Sequence, residues 1–302
     1  MVKKSGTGYL LVLLSAFLFA AGGNAVKVLF GRGYSPLVLA QLRIGFAFAW
    51  LLVILLAVRP RLLRVDRREL PALAVFGTIG LAGVQLSYYL TIARINIAVA
   101  LLVQYLGLVA VTAFERYQRQ QAVPAQVWGA LALVLVGAFF AVGAYQPALL
   151  RVNLPGVMLG LVAAAFFAFY VLRASTLTRR LNTWTLLVYG FGAGSIMWAV
   201  FDLVSGTALP PDWRIWVVMA LVGLIGTLAA HGLFVWALRT IRPSSAGIVS
   251  TAEPVFAGLI AFLVLGDRLQ PLQVFGAAVI VAGIIIVQAG SADAGVSAPP
   301  IQ

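Results

Sequence analysis

Glu253 is the residue hardest to treat as filler. It is the only charge in the apolar run 244–265, about ten residues in. Pro254 follows directly; it has no N–H, so the carbonyl of Ser250, four residues back, loses its helical donor. A carboxylate beside loosened backbone in an apolar segment either binds a substrate amine or a proton, or is hydrogen-bonded so that it holds a kink. His231 is the only histidine, on one helical face with Thr227, Phe234 and Val235. Its ring either lines a cavity, relays a proton or simply packs. Gln85 precedes Tyr88 and Tyr89 at helical spacing, Gln104 and Tyr105 stand mid-run, and Asn24 and Tyr170 add polar groups to two further runs. Arg43 lies about two turns into another run, placed to hold a carboxylate or to pair with Glu253. Lys27 lies near the end of its run, where a long side chain snorkels to the interface.

This inventory is poor for covalent chemistry. With one His, no Cys and eight acidic residues scattered along 302, there is no nucleophile–base pair and no cluster with metal-ligand spacing. An intramembrane enzyme is therefore the weaker reading, and no cofactor or metal is indicated. A passive channel needs a continuous polar face, which is missing. No G-x-x-x-x-G-K-[ST] occurs, which argues against an intrinsic ATP-driven pump.

The polar residues must be positioned by membrane spans. The chain is 63% hydrophobic and 10% charged, against about 25% charged in soluble domains. A bilayer core about 30 Å thick takes roughly 20 apolar residues of helix to cross. The apolar runs predict ten helices over 7–30, 36–58, 70–93, 96–115, 124–144, 154–174, 183–204, 213–238, 244–265 and 271–289. Pro36, Pro71, Pro124, Pro155, Pro243 and Pro271 sit at or just before first turns, where a missing N–H costs nothing. The fold class expected is all-α integral membrane. The first run is longer than a signal-peptide core and resembles a later span, so it is read as a retained helix.

The net charge of +13 does not point to nucleic acid, because the basic residues are dispersed through short connections. Fourteen of the 21 Lys and Arg fall on the side of the N-terminus: Lys3 and Lys4, five Arg over 59–68, Arg116, Arg119, Arg173, Arg179, Arg180, Arg239 and Arg242. Arg32, Arg94, Arg151, Arg214 and Arg268 fall on the other. This bias places both termini in the cytoplasm.

The chain also repeats itself. Gly77-Thr-Ile-Gly80 matches Gly223-Leu-Ile-Gly226, Pro124-Ala-Gln-Val-Trp-Gly-Ala130 matches Pro271-Leu-Gln-Val-Phe-Gly-Ala277, and Leu18-Phe19-Ala20 matches Phe166-Phe167-Ala168. Under this alignment Gln85 is the counterpart of His231. Residues 1–146 and 147–290 thus form two five-helix repeats, with 291–302 a disordered cytoplasmic tail. Five is odd, so the halves are inverted in the membrane, and loop charges switch accordingly: five Arg follow the second span, whereas Asp202, Asp212 and only Arg214 follow the seventh. Inverted repeats are typical of secondary transporters, with a site near the midplane between the halves.

The ninth span and its continuation read Thr251-Ala-Glu-Pro, an apolar stretch, Leu-Gly-Asp267, then Pro271-Leu-Gln-Val-Phe-Gly276. This pattern, together with the 5 + 5 organisation, resembles the EamA family of the drug/metabolite transporter superfamily, to which YddG-type exporters of aromatic and other amino acids belong. The resemblance implies a bacterial inner membrane location, alternating access and a central cavity. The first repeat departs from it: Gly107 aligns with Pro254, and no Leu-Gly-acid precedes Pro124.

The combined expectation is a secondary transporter that exports small amphipathic metabolites such as amino acids. Gln85, Tyr88, Tyr89, Gln104, Tyr105, Tyr170, His231, Ser250 and Glu253 are expected to contact substrate, and Glu253, Pro254, Arg43 and Asn24 to couple or gate. Uptake of a cationic amine or quaternary ammonium is the alternative. The fifth and tenth spans carry no polar side chain between Gln126 and Tyr145 or between Gln273 and Gln288. They are expected at the periphery, facing lipid or a second copy of the chain.

Overall fold

The computed structural model describes residues 2–149, 153–206 and 210–293, with side chains from 6 to 290. Arg151, the side chains of Lys3 and Lys4, and the tail beyond Asp293 lie outside the described residues. Ten long helices make up the fold among the described residues. They are α1 (Val2–Gly31), α2 (Pro36–Val58), α3 (Arg67–Ile92), α4 (Ile97–Tyr117), α5 (Ala125–Ala141), α6 (Leu154–Leu177), α7 (Thr183–Ser205), α8 (Trp213–Ala237), α9 (Pro243–Leu265) and α10 (Pro271–Asp293). Nine are long and apolar enough to cross a bilayer among the described residues; α5 has 17 residues.

Helix starts follow local chemistry. Asn96, Asn153, Asn182 and Asp212 each accept a first-turn N–H, which would otherwise lack a partner. Pro36 and Pro243 occupy first-turn positions. α5 stops three residues short of the expected end. Gly143 takes φ +77° there, with Gly143 N–H donating to Phe140 and Ala144 N–H to Phe139, a glycine-terminated cap. α10 runs further than expected, to Asp293, into the segment read as tail.

Two π-helical stretches, Phe76–Gly83 in α3 and Val222–Ala229 in α8, lie at equivalent places in the repeats. They contain the matched Gly-x-x-Gly pairs. In α8 the glycine permits a backbone crossing with α1: a Cβ on Gly226 would lie 2.7 Å from the Cα of Gly22, and one on Gly22 would lie 2.9 Å from the Cα of Gly226. The halves interlock, with α1 packing on α8 and α9, α2 on α7 and α8, α3 on α6 and α7, and α4 on α6. α5 and α10 pair mainly with each other, through Gly137, Gly276 and Gly283, and α10 exposes Val274, Phe275 and Ile285.

The two faces are tied differently. On the face that carries the N-terminus, the contacts between halves are numerous and range from buried to exposed. Thr185 Oγ1 and Tyr189 Oη donate to the carbonyls of Leu62 and Leu63 (2.8 and 2.7 Å). Arg119 donates to Thr176 Oγ1 (2.8 Å) and Arg242 to the carbonyl of Ala122 (2.6 Å). Glu115, fully buried at the end of α4, accepts the Ser244 N–H (3.0 Å) at the start of α9, so an anion sits on a helix N-terminus. Arg180 pairs with Glu69 at 3.4 Å. On the opposite face the links are exposed: Lys27 with Asp267 at 2.9 Å, and Tyr145 with Gln270 at 2.6 Å. Lys27, expected to snorkel, is thus ion-paired to the acid of the Leu-Gly-Asp sequence.

Two stability predictions follow from this packing. Gly226→Leu, which forces a side chain into the backbone of α1, should lower stability in detergent by at least about 1–3 kcal/mol. Gly45→Ala, with nothing within 4 Å of its Cβ, should not; equal melting temperatures for the two variants would refute the crossing. Glu115→Ala should cost about 1–3 kcal/mol by stripping the acceptor from a buried N–H. Glu115→Gln, which keeps an acceptor oxygen, should recover part of that loss.

Candidate binding cavity

The cavity arises where regular helix fails. At Pro254 the missing N–H interrupts α9, which divides at Thr251 into Pro243–Ser250 and Ala252–Ile260. Ser250 Oγ and Thr251 Oγ1 turn back onto the carbonyls of Gly247 (2.7 Å) and Ile248 (2.6 Å). Glu253 therefore stands in the first turn of the second segment, where the helix dipole favours a negative charge. Its carboxylate has no hydrogen-bond or ion-pair partner among the described residues.

Arg43 of α2 is held by three bonds. Nε donates to Thr227 Oγ1 (3.2 Å), Nη2 to the carbonyl of Gly226 (3.2 Å) and Nη1 to Tyr89 Oη (3.4 Å). Two of these acceptors belong to the π-helical stretch of α8, in which the regular i−4 ladder is broken. Arg43 does not ion-pair with Glu253; it lines the same cavity, with no carboxylate within ion-pair distance among the described residues.

That cavity, of about 180 Å³, is lined by Arg43, Gln85, Tyr88, Tyr89, Gln104, Tyr105, Tyr170, His231, Ser250 and Glu253. The volume lies below the roughly 300–1,000 Å³ of drug-sized pockets. The oxygens Gln85 Oε1, Tyr105 Oη and Tyr170 Oη are buried in its walls without partners among the described residues. Tyr170 stacks between Phe76 and Phe234, ring centroids 5.8 Å from each. His231 donates from Nδ1 to the carbonyl of Thr227 (2.8 Å) and is met edge-on by Phe19 at 4.7 Å.

Two residues expected at the site lie off it. Asn24 donates to the carbonyls of Ala20 (3.0 Å) and Ala257 (3.2 Å), clamping α1 to α9. Pro254 shapes α9 without lining the cavity. Besides α3, α4, α8 and α9, the cavity draws on α1, α2 and α6 through Phe19, Arg43 and Phe167. Phe19, Phe167 and Phe234 were not singled out as lining residues, yet the repeat carries the signal. Phe19 matches Phe167, Gln85 matches His231, and Tyr88 matches Phe234, and all six line the cavity. Thr227 and Glu115 gave no comparable signal, because their importance lies in partners distant in sequence.

The model of the EamA-like transporter family matches residues 6–143 and again 154–288. The inner membrane transporter YicL of Salmonella typhimurium is 24% identical, over 94% of this chain and 96% of its own length. A transporter of Archaeoglobus fulgidus is 27% identical over 90% of each chain. The threonine/homoserine exporter RhtA of Escherichia coli K12 is 26% identical over 90% of this chain and 88% of its own. A crystal structure at 17% identity superposes with a TM-score of 0.82, covering 96% of this chain and 99% of the other, a likeness of fold. The double family match, the inverted five-helix repeats and the cavity between them identify the chain as a multi-pass membrane transporter belonging to the EamA-like transporter family.

Proposed function

We propose that this transporter exports small amphipathic amino acids across the bacterial inner membrane by alternating access, with both termini in the cytoplasm. One observation carries the reading. The guanidinium of Arg43 and the carboxylate of Glu253 line one cavity with no ion pair between them among the described residues. An α-amino acid carries a carboxylate and an ammonium on one carbon. It satisfies both groups at once, whereas a simple cation leaves Arg43 unpaired and repelled. This weighs against the cationic-amine alternative. Removing either protein charge strands one end of the substrate at membrane depth, where unpaired charge is costly.

The rest of the site supports the same reading. The rings of Phe19, Phe167, Tyr170 and Phe234 form an apolar wall for the substrate's carbon skeleton. The volume suits a small side chain. Relatives named threonine/homoserine exporters support the amino-acid class. The excess of Lys and Arg on the terminal side supports the orientation. The terminal face has more bonds between the halves than the opposite face, among them the buried Glu115–Ser244 contact, and this supports a conformation in which the cytoplasmic side is shut. Opening requires α4 and α9 to part at Glu115 and Ser244.

Glu253→Gln should reduce amino-acid flux into or out of proteoliposomes by about 10–100-fold, the effect of one charge-assisted bond. Arg43→Gln should do the same. An amino-acid amide, lacking the carboxylate, should compete poorly against the parent protein and should not distinguish it from Arg43→Gln. An N-acetyl amino acid should behave likewise toward Glu253→Gln. Unchanged flux in Glu253→Gln would remove the carboxylate from the site. The orientation has its own test, since the chain contains no cysteine. Single cysteines placed over 59–68 should react with impermeant maleimide only from the cytoplasmic side; labelling from outside reverses the topology.

A further inference from the structure

The repeat relates contacts as well as residues. α1, α8 and α9 pack as one bundle and α6, α3 and α4 as another. Each bundle draws on both halves, and the repeat maps one onto the other. Their internal contacts correspond. Gly8 of α1 leaves no room for a Cβ beside Thr240 and Ile241, in the connection between α8 and α9. Gly156 of α6, its match, leaves none beside Arg94 and Ile95, in the equivalent connection between α3 and α4.

Contacts between the bundles do not correspond. α4 packs chiefly on the first segment of α9, Pro243–Ser250. There Glu115 accepts the Ser244 N–H (3.0 Å), and a Cβ on Gly247 would lie 2.5 Å from Leu108 Cδ2. The spacing that matches Gly107 with Pro254 and Pro124 with Pro271 also matches Ile97 with Ser244 and Glu115 with Phe262. Glu115 and Ser244 are 0% and 1% exposed, whereas Phe262 and Ile97, at the other ends of the same two helices, are 50% and 49% exposed. The pair of α4 and α9 is thus closed at one end and exposed at the other. The Lys27–Asp267 pair joins α1 to the end of α9, within one bundle, and Tyr145–Gln270 lies between α5 and α10, so neither joins the two bundles.

Exchanging the conformations of the two repeats gives the second state of an inverted-repeat carrier. The exchange keeps each bundle, parts Glu115 from Ser244 and brings Ile97 onto Phe262. The two ends then differ in chemistry. α4 carries its own cap, since Asn96 accepts the Ala98 N–H (2.9 Å). α9 begins after Arg242 without a side-chain cap of its own, and the Ser244 N–H takes its acceptor from the other bundle. Phe262 has no acceptor to offer Ile97. We propose that Ile97 and Phe262 are the gate of the face opposite the termini, closing by apolar contact in the alternate conformation, and that Glu115 is the latch that biases the transporter against it. The gate rests on the alternating-access reading above; the contact of Glu115 with Ser244 does not.

The chain has no cysteine, so introduced pairs report alone. In proteoliposomes Ile97→Cys with Phe262→Cys should form a disulfide under mild oxidation, read by gel mobility. Adding Glu115→Ala should speed its formation about 10-fold, the worth of a hydrogen bond to a charged group. Glu115→Gln, which keeps an acceptor oxygen, should speed it less. Ser250→Cys, in the cavity wall, reports access without the gate and without a known substrate. Alone it should react with impermeant maleimide from both faces, chiefly the one opposite the termini; with 97 and 262 bridged, it should react from the terminal face only. Labelling from both faces with no bridge at 97 and 262 overturns the gate, and a bridge whose rate ignores Glu115→Ala overturns the latch. Labelling from one and the same face in every variant overturns the alternating-access reading instead, and the gate falls with it.

Discussion

A guanidinium carried into the membrane interior must be surrounded by acceptors, and the arrangement around Arg43 sets the geometry of the whole site. The insertion cost of such a group is about 3 kcal/mol, and it is offset here by acceptors that ordinary helix does not provide. The π-helical stretch Val222–Ala229 breaks the regular ladder where the Gly226 carbonyl and Thr227 hydroxyl receive Arg43. That stretch in turn lies against α1, because Gly226 and Gly22 allow the two backbones to touch. One consequence reaches the site directly: Thr227, held in this position, also receives His231. The charge, the helical defect and the close crossing belong together.

The cavity combines a symmetric frame with asymmetric chemistry. Phe19 with Phe167, Gln85 with His231 and Tyr88 with Phe234 are equivalent positions of the two repeats, and all six line the cavity. An inverted pair of repeats provides the same wall to whichever side the cavity opens. The charged groups break the relation. Gly190 occupies the position in the second repeat that corresponds to Arg43, and Leu106 the position in the first that corresponds to Glu253. The two charges of the cavity are thus each supplied once, Arg43 by the first half and Glu253 by the second, while the surrounding frame is shared.

A similar asymmetry separates the faces. On the face that carries the N-terminus, Glu115 accepts from the start of α9 in a bond withdrawn from water, where it is worth more, and Arg119 adds a partly buried one. The Lys27–Asp267 pair opposite is half exposed, at 58% and 49% of the side chains, and surface pairs of this kind add about 0–1 kcal/mol. The face that carries the N-terminus is therefore the more strongly tied. α5 and α10 are packed on each other and only lightly on the remainder.

Ten crossings, two inverted halves and the set of polar residues held at depth were legible in the residue order. Transfer into lipid is a cost summed residue by residue along a segment, and it leaves a pattern that requires no knowledge of neighbours. Gln85, Tyr105, Tyr170, His231 and Glu253 stood out for that reason. Which partner each polar group takes was decided only by the tertiary structure. Asn24 is drawn to the backbone of α9, Arg43 to a π-helical turn 183 residues away rather than to Glu253, and Glu115 to the first turn of α9. A hydrogen bond depends on approach to about 3 Å at a suitable angle. Segments far apart in sequence reach that distance only once glycine crossings and helix breaks have set how closely the spans can lie.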